Sequence, residues 1–66
     1  MVQEKELVRI KQNHACVLMY AHLSDDVGIV KRTYKLHRVD IEMCEVFWQK
    51  ANRSFKLDVR HVEGVS

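Results

Sequence analysis

The side chains best suited to chemistry lie in two cationic stretches. Lys31, Arg32, Lys35 and Arg38 stand in "KRTYKLHR" with no acid among them, and His37 lies between them. Gln49, Lys50 and Arg53 follow Trp48 a little farther on. Arginine and glutamine bond base edges, while lysine and arginine neutralise phosphates. Arg32, Lys35, Arg38, Gln49, Lys50 and Arg53 are therefore the candidate contacts to double-stranded DNA, with Gln49 and Arg53 as base readers and the other four on the backbone. Glu42 and Glu45 oppose a polyanion and are expected to be solvated surface charge.

Other chemistries find less support. His14 and Cys16 would share one face of a strand, but no second pair stands at zinc-finger spacing, so no metal site is expected. Cys16 and Cys44 lie in apolar surroundings and form no CxxC pair, which fits small buried side chains in a reducing compartment. No nucleophile, base and orienting acid form a set, and no glycine-rich phosphate loop occurs. Neither catalysis nor a cofactor is expected.

Size sets the next constraint. A chain of 66 residues is one domain, 1–66, and buries only about 60% of the surface its unfolded form exposes. Self-association is a usual remedy for so small a core, and a homodimer is expected. A composition 47% hydrophobic and 30% charged suits a soluble globular protein. The net charge of +2 permits a polyanionic partner without requiring one. The opening "MVQEKELVRIKQ" is charged where a signal peptide would be apolar, and the run "ACVLMYA" is far too short to span a membrane. A cytoplasmic location with no membrane partner is expected.

With no proline and only Gly28 and Gly64 as glycines, element boundaries must come from periodicity. Leu7, Ile10, His14, Val17, Leu18 and Ala21 recur every three or four residues, as on one face of a helix. Ser24, Asp25 and Asp26 then supply a polar cap before Val27, Val30 and Tyr34, and Ile41, Cys44, Trp48, Ala51 and Phe55 repeat the spacing. This pattern predicts an all-α, three-helix domain with Leu7, Ile10, Val17, Leu18, Val30, Tyr34, Ile41, Cys44 and Trp48 in its core. The last helix would turn Glu42, Val46, Gln49, Lys50 and Arg53 outward.

A strand pattern competes with it. Valine and isoleucine outnumber alanine several-fold, and "SFKLDVRHV" alternates with a period of two. "SDDVG" would close one hairpin, between "HACVLMYAHL" and "IVKRTYKL", and "KANRS" another, between "EMCEVFWQ" and "FKLDVRHV". The alternative fold is thus a small α+β or all-β domain of antiparallel hairpins.

Val17 to Arg38, "VLMYAHLSDDVGIVKRTYKLHR", resembles the homeodomain-like helix-turn-helix near the N-terminus of insertion-sequence transposases and integrases. The matching positions are Val17, Leu18, Tyr20, Ala21, Ser24, Val27, Val30, Arg32, Tyr34, Leu36 and Arg38, about a third of the chain. Lys35 stands where that family has its turn glycine, His37 where it has serine, and Asp40 and Ile41 where it has threonine and an aromatic residue. The resemblance implies a small DNA-binding protein of helix-turn-helix type, a mobile-element or phage regulator. The alternative function is a small protein-binding module or inhibitor acting through a β-edge or an aromatic surface around Phe47 and Trp48, without nucleic acid.

Overall fold

A computed structural model describes residues 2–65. Its sheet comprises β1 (Leu7–Ile10), β2 (Gly28–Lys35), β3 (Glu42–Trp48), β4 (Arg53–Asp58) and β5 (Val62–Gly64), all antiparallel, in the spatial order β4-β3-β2-β1-β5. A short helix, α1 (His14–Met19), and a 3-10 turn, Ala21–Leu23, lie between β1 and β2. A second 3-10 turn, Val59–His61, leads from β4 to β5. The all-α, three-helix domain is thereby corrected: no helix-turn-helix forms from Val17 to Arg38, and Ile41 to Phe55 is a hairpin.

The reason lies in the periods themselves. Cys44 and Trp48 are four apart, a spacing that puts residues on one side of a helix and also on one side of a strand. Val46 distinguishes the two, because a helix would turn it outward and here it is fully buried between them. In β2, Val30 pairs with Val46 and Arg32 with Glu45, so Lys31 is an extra residue at a bulge. That slip of phase breaks the strand's alternation and leaves Val30 and Tyr34, four apart, on opposite faces of the sheet, so their helix-like spacing marks no common side.

The first stripe is broken rather than continuous. β1 sends Val8 and Ile10 into the core, and α1 begins only after Asn13, whose Oδ1 accepts the Cys16 amide at 2.9 Å. Leu7 and Leu18, both expected inside, are 44% and 66% exposed, and His14 is exposed as well. Val17, Tyr34 and Ile41 are half-buried. The "SDDVG" hairpin does not form, since residues 14–19 are helical, whereas "KANRS" does turn β3 into β4. Asn52 supplies the left-handed conformation there, at φ 56°, and its amide bonds the Trp48 carbonyl at 2.8 Å.

The core gathers Val8 and Ile10 from β1, Val30 from β2, Cys44, Val46 and Trp48 from β3, Leu57 from β4 and Val62 from β5. Cys16 of α1 and Leu23 cover it. Gly28 is required where it pairs with Trp48 of β3: a Cβ there would lie 3.0 Å from Trp48 Cε3 and closer still to Val46 Cγ1. The approach to β2 is held by Asp26, a buried carboxylate that accepts the amides of Val27, Lys50 and Ala51.

Candidate interaction surface

The surface follows from strand register, because residues opposite one another on paired antiparallel strands point to the same face. Leu7 pairs with Ile29 and Ile29 with Phe47, while Val65 donates its amide to the Leu7 carbonyl at 3.0 Å. Val65, Leu7, Ile29 and Phe47 therefore form one apolar row across the face turned away from the core. Three of them are well exposed, at 42%, 44% and 36% in that order, and Phe47 is half-buried. Ser54, opposite Phe47, ends the row on β4.

Charges flank this row on both sides. Arg9 Nε bonds Glu63 Oε2 at 2.7 Å across β1 and β5. On the other side Arg32, Glu45 and Lys56 stand opposite one another on β2, β3 and β4, a ladder of alternating sign. Arg32 Nε bonds Glu45 Oε1 at 2.8 Å, and Lys56 is exposed at the sheet edge.

The six DNA-contact candidates do not converge. Lys35 ends β2 and Arg38 lies in the turn beyond it, at one end of β3; Gln49, Lys50 and Arg53 lie at the other end. Seven residues of strand separate the groups by about 20 Å. Arg32, between them, is occupied by Glu45; Lys50 Nζ lies 3.5 Å from Asp25 Oδ2; and the Arg53 guanidinium sits 5.6 Å from the Phe55 ring centroid. Gln49 is on a turn, with its amide bonded to the Val27 carbonyl, and not on a recognition helix.

Two further polar arrangements hold the fold. Tyr20 Oη and His61 Nδ1 are 2.8 Å apart and join the end of α1 to the second 3-10 turn. Burial, with Cys16, Asp58 and Cys44 nearby, pushes the Tyr20 phenol up, so it stays protonated. A cleft of about 320 Å³ opens beside Arg9, Gln12, Ser24 and Val65, yet its polar groups bond internally. Arg9 holds Glu63, and Gln12 Nε2 donates to the carbonyls of Ile10 and Ser24. Among the described residues no three His, Cys, Asp or Glu side chains come together to hold a metal ion, and no helix is long and apolar enough to cross a membrane.

No family model, curated protein or solved structure matches the chain. The apolar row and the charge ladder escape sequence reading because Leu7, Ile29, Phe47 and Val65 meet only through pairing. Alternation within β3 was the only local signal that Phe47 faces away from Val46 and Trp48.

Proposed function

We propose that this chain is a small protein-binding module acting by surface complementarity, without nucleic acid. The observation that carries the proposal is the uncovered row of Leu7, Ile29 and Phe47 on three neighbouring strands and Val65 just after β5. Single exposed apolar side chains are ordinary, but contiguous ones within a polar rim are characteristic of contact surfaces. Arg9–Glu63 and Arg32–Glu45 supply such a rim. The separation of the candidate DNA contacts by about 20 Å favours the same conclusion, because a groove reader gathers its contacts on one helix or one two-stranded ribbon end.

The test immobilises the wild-type chain and its Ile29→Lys variant and exposes both to extract of the native host, with and without nuclease. One stoichiometric protein retained by the wild type, insensitive to nuclease and lost with Ile29→Lys at an unchanged circular dichroism spectrum, is the expected result. Retention that needs nucleic acid, or that survives Ile29→Lys, contradicts it. Sedimentation equilibrium at high micromolar concentration identifies the case in which the partner on this row is a second copy.

A further inference from the structure

The ladder Arg32–Glu45–Lys56 runs positive, negative, positive across the outer face and then stops, because β4 is the last strand of the sheet on that side. Glu45 is already bonded by Arg32, so Lys56 has no acid among the described residues. Neither has Arg53, at the other end of the strand, whose guanidinium rests over Phe55. Among the described residues the outer edge of β4 also pairs with no other strand, leaving a row of amide and carbonyl groups open along Arg53–Asp58.

We infer that the β4 edge accepts an extended acidic segment of a partner protein as a sixth strand. The inference rests on the protein-binding reading above and adds the chemistry of the partner. Residues on the added strand continue the rows they join. Opposite Lys56 and Arg53 an acid completes the charge pairing; opposite Ser54 an apolar residue lengthens the row of Ile29 and Phe47; opposite Phe55 another apolar residue meets the ring. The motif is acid–apolar–apolar–acid, and it reads the same for a parallel or an antiparallel addition.

Two other occupants fit less well. A second copy paired antiparallel about Lys56 sets two ammonium groups face to face, and pairing about Phe55 gives neither cation an acid. Pairing about Leu57 offers Lys56 only Asp58, which already holds Arg60 at 2.7 Å. A nucleic acid could meet the cations, but half of the groups along an open strand edge are carbonyl oxygens, which repel phosphate and are satisfied by another backbone.

The experiment titrates the whole chain with capped, labelled peptides bearing the core Glu-Val-Ile-Glu or Lys-Val-Ile-Lys in neutral flanks, followed by fluorescence anisotropy and amide hydrogen exchange. The acidic peptide should bind about tenfold tighter than the basic one. It should slow exchange at β4 amides, and the preference should invert in the Arg53→Glu/Lys56→Glu double variant, with Lys56→Gln intermediate. Equal affinities, absence of binding at millimolar peptide, or a preference unchanged by charge reversal overturns the inference. So does displacement of the acidic peptide by duplex DNA at equal phosphate. Ile29→Lys, two strands away, should leave peptide binding unaltered. Loss of host-protein capture in that variant therefore tests the outer-face reading, and failure of the peptide tests the edge alone.

Discussion

Asp26 Oδ2 accepts the backbone amide of Ala51 at 3.0 Å, tying the segment before β2 to the turn between β3 and β4. Its Oδ1 accepts Val27 at 2.7 Å and Lys50 at 3.0 Å. Burial by itself raises such a carboxyl, but the amides of Lys50, Ala51 and Val27 together outweigh it and hold Asp26 below the usual carboxylate range. Asp26→Ala leaves three donors without an acceptor and should destabilise the fold by about 3 kcal/mol or more; Asp26→Asn should cost about 1–2 kcal/mol. Midpoints of urea unfolding measure both.

Acid should weaken the protein through Asp58 as well. The hydrogen bonds from Arg60 bring its carboxyl down to about 2, against an opposing effect of burial. A folded pKa below the unfolded value of about 3.9 gives stability that is complete above the unfolded value and is lost as pH falls through the folded one. Unfolding free energy should therefore decline from about pH 4 towards about pH 2. Asp58→Asn should remove about 1 kcal/mol of that decline, the exposure of Arg60 screening the rest.

Gly28→Ala should destabilise by about 1–3 kcal/mol, because the new methyl group enters space held by Val46 and Trp48. Adding Val46→Ala should recover part of the loss, although Val46→Ala alone is harmful. Thermal melting of the two single variants and the double variant checks the sign of the coupling.

Cys44 is fully buried, and burial, with Asp58 and Glu42 adding to it, pushes its thiol up to about 11. A thiol reagent at about pH 8 should modify it only at the rate of unfolding, faster in urea. Labelling that completes within the dead time in native buffer contradicts this.

Random duplex DNA at about 50 mM salt should bind no more tightly than about 0.1 mM, the level of non-specific contact. Tighter binding, weakened by alanine at both Lys35 and Arg53, would show that cations at opposite ends of β3 act on one duplex.

The β3–β4 hairpin was legible from "KANRS" between two alternating runs, and Ile10, Val30, Cys44 and Trp48 were recognisable as core. The rest was lost where two periods coincide. Cys44 and Trp48 satisfy both, so Val46 had to decide, and the bulge at Lys31 disguised β2. The short α1 was drawn into a longer stripe because Leu7 and Ile10 happen to continue its spacing. The interaction surface was not legible, since no local pattern places Val65 beside Leu7 or Lys56 beside Glu45. Of the six cationic and amide candidates, only Arg53 belongs to the edge strand, and Lys56 had no distinguishing neighbour in the sequence.

Arg9 and Glu63, 54 residues apart, meet because β5 completes the sheet against β1. In folding, the hairpins of β2, β3 and β4 close readily, since their contacts are local. Val62, however, reaches its place in the core only when β5 arrives. Until then the folding chain carries an unsealed interior and one unpaired edge of β1, the interval in which chaperones or misassembly compete for it.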